Sequence, residues 1–211
     1  TAVLTITDDD FPHGVFTFAT TNFTVLESSG TATVTVIRTN GVAGNVTVDF
    51  STAPGGVNPA NNSGAGQDYT DNSGTLSFAV GETTKTFTAS IANDAAVEND
   101  ETITLTLSNP TGGATLPGPT VSLKQITAGT VTLTTTTPHG FNALDVIGVS
   151  IQDARFDGTY QLTAAAGTTL SYAASGNPGN VASTPVTGAV FKSHTGTLTI
   201  IDDDFTGGRL T

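Results

Sequence analysis

Carboxylates are the side chains of this sequence whose number and placement could do chemistry. Asp8, Asp9, Asp10, Glu27, Asp68, Asp94, Glu98, Asp100, Glu101, Asp202, Asp203 and Asp204 are 12 of the 18 acids. Nearly all fall just outside strand-like runs. Glu27 follows Phe23–Leu26, Asp94 follows Phe87–Ile91, Asp202–Asp204 follow Thr197–Ile201, and Asp68 lies in a Gly/Asn-rich loop before Thr75–Phe78. Glu98 to Glu101 precede Thr102–Leu107. Antiparallel neighbours bring the end of one strand beside the start of the next, so acids at strand ends gather at a pole. Two carboxylates 4 Å apart repel by roughly 1 kcal/mol even in water. With six Lys and Arg and a net charge of −12, the chain has few cations of its own to hold such a group together. A divalent ion does the task better. Calcium accepts six to eight oxygens in irregular geometry, magnesium demands a tighter octahedron, and zinc favours His and Cys. Against this stands the plainer reading, in which an Asp triplet merely protects a strand edge; gathering at poles rather than faces favours the metal.

Other chemistries find little support. His13, His139 and His194 are the three histidines, and no His-x-x-x-His, Gly-x-Ser-x-Gly or phosphate-loop pattern occurs. Paired carboxylates serve glycoside hydrolysis, but with no Trp and three Tyr little is available to stack on sugars. The sequence predicts a protein that is not an enzyme. Its negative charge repels phosphate backbones, so nucleic acid is not an expected partner. Cysteine is absent, which removes disulfides and thiolate metal sites, and no apolar run approaches the ~20 residues of a membrane span.

The elements that must position the acids are strands. Val15–Phe18, Phe23–Leu26, Thr33–Ile37, Val46–Phe50, Thr75–Phe78, Thr86–Ile91, Thr102–Leu107 and Gly196–Ile200 alternate apolar residues with Thr or Ser. A period of two with one wet parity predicts an antiparallel sheet buried on one face. About seven such strands separated by turn signals such as Asn40-Gly41 and Asn109-Pro110 predict an all-β, seven-stranded, Ig-like sandwich.

The two ends repeat one another. Thr1-Ala2-Val3-Leu4-Thr5-Ile6-Thr7-Asp8-Asp9-Asp10-Phe11 matches Thr195-Gly196-Thr197-Leu198-Thr199-Ile200-Ile201-Asp202-Asp203-Asp204-Phe205. Residues 1–10 are therefore expected to be the last strand of a preceding repeat, or a donor strand, and 205–211 a linker to a following domain. Residues 119–193 carry strands of their own, Thr130–Thr134, Asp145–Val149, Gly158–Leu162 and Thr169–Tyr172. An unstructured loop of that length is improbable in a compact domain. They are expected to form a small β module inserted between the last two strands of a sandwich made of 11–118 and 194–204.

The stretches Phe23-Thr24-Val25-Leu26-Glu27, Gln67-Asp68-Tyr69, Gly74-Thr75-Leu76-Ser77-Phe78, Val80-Gly81-Glu82-Thr83-Thr84-Lys85-Thr86, Asn93-Asp94-Ala95-Ala96-Val97-Glu98-Asn99-Asp100-Glu101, Leu107-Ser108-Asn109-Pro110 and Ile200-Ile201-Asp202-Asp203-Asp204 stand out. Together they resemble the Calx-β family, known from sodium–calcium exchangers and bacterial surface proteins. The resemblance covers residues 14–118 and 194–204. It implies a sandwich with Ca2+ at one tip and, carried over by position, the ligands Glu27, Asp68, Asp94, Glu98, Glu101, Asp202, Asp203 and Asp204. Asn93 and Asn99 stand where calcium-binding members often carry acids, which implies weaker binding or fewer ions. Within the insert, Thr137-Pro138-His139-Gly140-Phe141 and Phe156-Asp157-Gly158-Thr159-Tyr160 resemble a small β module of phage structural and bacterial surface proteins.

The expected function is a calcium-rigidified structural or adhesive module of a secreted or cell-surface bacterial protein. Its expected partners are neighbouring repeats or subunits of the same protein. The alternative is a filament subunit joined head to tail by donation of the N-terminal strand. A third expectation is that the insert contacts a cell-surface or glycan ligand.

Overall fold

The computed structural model describes residues 12–176 and 178–204; the repeat at residues 1–10, its Asp8–Asp10 triplet and the linker 205–211 lie outside them. The first part of the chain forms β1 (Val15–Phe18), β2 (Asn22–Leu26), β3 (Thr31–Thr39), β4 (Val46–Pro54), β5 (Tyr69–Thr70), β6 (Ser73–Phe78), β7 (Thr84–Ile91) and β8 (Glu101–Ser108). Then follow β9 (Val121–Thr127), β10 (Thr130–Thr135), β11 (Val146–Ser150), β12 (Gly158–Ala166), β13 (Thr169–Ala173), β14 (Val181–Pro185) and β15 (Ala189–Phe191). The last strand is β16 (His194–Ile201). A short 3₁₀ turn at Glu27–Ser29 is the one helical element among the described residues, and no helix is long and apolar enough to cross a membrane.

Two sheets make the sandwich, ordered β1-β3-β7-β5 and β2-β16-β8-β4-β6. The alternation that is legible in the sequence is the burial pattern: in β4, Val46, Val48 and Phe50 point inward while Thr47, Asp49 and Ser51 are half-exposed. The inward rows of the two sheets meet, with Phe50 stacked on Phe87 at 4.1 Å and Phe16 against Phe78 at 4.9 Å. Burying each such side chain contributes about 1.5–3 kcal/mol, which makes this cluster the main source of sandwich stability.

Strand count departs in detail from the expected seven. The chain leaves the first sheet after Phe18 and joins the second at Asn22, so the runs Val15–Phe18 and Phe23–Leu26 fall in different sheets as β1 and β2. The two-residue β5 adds another strand. Beyond Ala19–Thr21, β2 runs parallel to β16, with Thr197 opposite Asn22 and Ile201 opposite Leu26. The other ladders are antiparallel, β16 lying on β8 from His194↔Leu107 to Ile200↔Glu101.

The segment between β8 and β16 forms a seven-stranded sheet, β14-β9-β10-β13-β12-β11-β15. It encloses a second cluster that includes Ile126, Leu133, Ile147, Phe156, Leu162 and Tyr172. Strands β10 to β13 coincide with the alternating runs, whereas β9, β14 and β15 have no clear alternation; β14 has one half-buried residue and four exposed ones. His139 is buried in this module, its ring nitrogens bonded to the Thr169 carbonyl and the Phe141 amide.

Candidate metal centre

Registers of the second sheet bring the acids together. Ile201 is opposite Leu26 in the parallel ladder, so the next residues, Asp202 and Glu27, leave the sheet side by side. Ile200 is opposite Glu101 in the antiparallel ladder, which sets Glu101 beside the same end. Tyr69 pairs with Ile91, and the Ala92 amide donates to the Asp68 carbonyl; Asp68 thereby reaches the pole from the first sheet. Gly30, with a φ of 71°, closes the 3₁₀ turn that carries Glu27, a conformation that costs glycine little and other residues more.

Two groups of three result. Glu27, Asp202 and Asp204 form one, and Asp68, Glu98 and Glu101 the other; within each, one carboxylate oxygen per residue lies within 4.8 Å of the others. Glu27 and Asp68 are buried at 6% and 7% exposure. Backbone amides hold the groups open. Glu27 Oε1 accepts from the Asp94 amide at 2.8 Å, Asp202 Oδ2 from the Glu98 amide at 2.9 Å, and Asp202 Oδ1 from the Asp204 amide at 3.0 Å. Asp68 accepts from the Asn61 amide. Among the described residues, Asp204 Oδ2 is buried without a hydrogen-bond partner. A crevice of about 10 Å³, lined by Glu27, Asp68, Glu98, Asn99, Glu101, Ile200 and Asp202, joins the groups; that is about the space of one water or one ion.

The two remaining expected residues lie outside both groups. Asp203 turns to the 3₁₀ turn, where its carboxylate accepts from the Ser28 amide and hydroxyl. Asp94 is exposed, and its Oδ1 accepts from the Ala96 amide at 2.6 Å. Both order the loops around the centre.

Burial pushes the Glu27 carboxyl up; the Asp94 amide opposes this, and the charges of Asp94, Asp204 and Asp202 add to it. Glu98 is raised by burial and by the charges of Asp68 and Asp94. Glu101 is pushed up to about 8 by burial, by its hydrogen bond to Asp68 and by the Asp68 charge. Three ionised oxygens at such spacing repel by about 1 kcal/mol per pair in water and several-fold more where partly buried. The structure offers them no basic partner among the described residues. Lys85 pairs with Glu82, Lys124 and Arg155 with Asp153, and Lys192 with Asp145. Arg38, buried, donates to the carbonyls of His13, Ala43, Gly44 and Ala79. The centre is a set of oxygen donors with excess negative charge and an orphaned acceptor.

The profile of the Calx-beta domain matches residues 8–134. Human sodium/calcium exchanger 3 is 38% identical over 109 residues, 52% of this chain and 11% of that protein. Canine sodium/calcium exchanger 1 is 37% identical over 110 residues, again 52% and 11%; the chain thus spans about a tenth of the curated relatives it matches. The crystal structure of an apo-form Calx CBD1 domain is 28% identical, covering 48% of this chain and 85% of that one, with a TM-score of 0.43.

Proposed function

Because the chain belongs to the Calx-β family, we propose that it is a calcium-binding module, with the two carboxylate trios as its ion sites. Glu27, Asp202 and Asp204 hold one ion and Asp68, Glu98 and Glu101 the other, while Asp94 and Asp203 fix the surrounding loops. The observation that carries this reading is the buried Asp204 Oδ2, which among the described residues has no hydrogen-bond partner and sits in a trio with no basic neighbour. Spacing agrees with the ion: with Ca–O distances of about 2.3–2.6 Å, oxygens on opposite sides of calcium lie about 4.6–5.2 Å apart, against the 4.8 Å limit within each trio. Bound calcium supplies the positive charge that the described residues lack at this pole, and the backbone bonds of Asp94, Glu98 and Asp204 couple its binding to loop order.

The role that follows is mechanical rather than catalytic. Asp202–Asp204 close the described domain, and the same triplet, Asp8–Asp10, precedes Pro12. In a tandem array of a secreted or cell-surface protein, each ion centre sits at a joint and stiffens it, and the neighbouring repeat is the partner. Within the described residues β16 fills the slot between β2 and β8, which favours closure within one chain over donation of a strand from a neighbour. Two separate apolar clusters support the division into a sandwich of 11–118 with 194–204 and an insert of 119–193. The insert presents Leu144 and Val146 to solvent and serves as the display element.

Thermal melts with calcium and with chelator test the reading. At a calcium concentration of 100 Kd the native state gains about 2.7 kcal/mol, a rise of roughly 5–11 °C in Tm for a chain of this size. An unchanged Tm at millimolar calcium rejects it.

A further inference from the structure

The insert hangs from two connections, 109–120 and 192–193, and the first connection and β11 are both drawn against β15 by contacts that only glycine permits. Strand β15 is the junction. Its Val190 belongs to the apolar cluster of the insert and the next residue, Phe191, to that of the sandwich, as alternation of side chains across a strand requires. Phe191 pairs with Gly148 of β11. Its ring lies across that glycine: a Cβ built at position 148 would meet Phe191 Cε2 at 2.2 Å and Cζ at 2.4 Å. The backbone of Gly148 has no positive φ, so the ring alone demands glycine there. Gly118 repeats the device on the other connection, where a Cβ would meet the Val190 carbonyl oxygen at 2.0 Å. Around this point the Val190 amide donates to the Pro119 carbonyl at 3.1 Å, and Lys192 Nζ is 2.7 Å from Asp145 Oδ1.

We propose that Phe191, seated on Gly148, is a latch that fixes the orientation of the insert on the sandwich. One aromatic side chain bridges the two units: it belongs to the sandwich core and its ring covers the bare backbone of an insert strand. The latch also forms a wall of the cleft of about 490 Å³ between the loop Asn109–Ala114 and β11, so it sets how far that cleft opens. Ion centre and latch lie at opposite ends of β8 and β16. Glu101 pairs with Ile200 at one end and Leu107 with His194 at the other, six residue steps or roughly 20 Å apart. The insert is thereby carried at a set angle at the pole remote from the carboxylates.

Residual dipolar couplings of the intact 211-residue chain test the latch. Couplings from the sandwich and from the insert of the unsubstituted protein fit one alignment tensor. Gly148→Val, which places two methyl groups where the ring lies, rotates the insert tensor away from the sandwich tensor, while the amide shifts around Leu162 and Tyr172 stay in place. Phe191→Ala, which removes the ring without adding bulk, lowers the insert tensor at least twofold relative to the sandwich. Unequal tensors in the unsubstituted protein overturn the proposal, as does a common tensor retained in both variants. Should Gly148→Val unfold the module, Phe191→Ala decides the matter alone.

Discussion

Calcium binding to the Asp68, Glu98 and Glu101 trio is expected to expel protons, because Glu101 is held protonated near neutrality. Its carboxyl is pushed up to about 8 by burial and by the bond to Asp68, and an ion accepts only the deprotonated form. With that value about 0.9 of a proton leaves Glu101 on binding at pH 7, and about 0.1 at pH 9. Apparent affinity accordingly falls about tenfold between pH 7 and pH 6 and levels off above pH 8. Calorimetric titration in buffers of different ionisation enthalpy reads the proton count as the slope of observed heat against buffer enthalpy. Glu101→Gln removes the share of the slope that Glu101 supplies. Calcium that binds at pH 7 with heat independent of buffer refutes the reasoning, since the trio would then be ionised before the ion arrives.

Other outcomes follow from the same structure. Glu27→Gln keeps an acceptor for the Asp94 amide but removes a buried charge beside Asp202 and Asp204; the calcium-free melting point rises while calcium affinity drops about tenfold or more, both read by calorimetry. Without calcium the sandwich is more stable at pH 5 than at pH 8. The folded-state pKa of Glu101 lies above its unfolded value of 4.5, so stability declines as pH rises from about 4.5 to 8; denaturant titrations across that range check it, and calcium abolishes the decline. The insert behaves oppositely in acid. Arg155 and then Lys124 hold the Asp153 carboxyl well below the usual range, so their stabilisation is present above about pH 4 and lost as pH falls further. Asp153→Asn costs the insert about 1–3 kcal/mol, between the exposed and buried limits for ion pairs, measured as a shift in its denaturant midpoint.

How much of this was legible beforehand depends on the length scale of the signal. Alternation in Val46–Phe50 or Thr102–Leu107 reports directly which parity is buried, because a side-chain period of two is a property of any extended chain. Strands β9, β14 and β15 escaped that test. Val121–Thr127 buries only Val121 and Ile126, and Ala189–Phe191 is buried at all three positions, since its faces serve two different cores. For the same reason Gly148 and Phe191 show nothing unusual in sequence; their importance exists only once β11 and β15 are paired.

The acids divide in the same way. That they gather at one pole follows from their positions at strand ends, and the sequence alone determined it, along with their excess over bases and the choice of an oxygen-seeking ion as the expected ligand. Which acids share a group was decided by tertiary structure. The parallel register of β2 on β16 sets Asp202 against Glu27, and successive residues of the Asp202–Asp204 triplet then point apart, so that Asp203 meets Ser28 while Asp202 and Asp204 turn to Glu27. Composition and order along the chain record charge, but convergence within 4.8 Å is a property of register, which depends on the packing of both sheets at once.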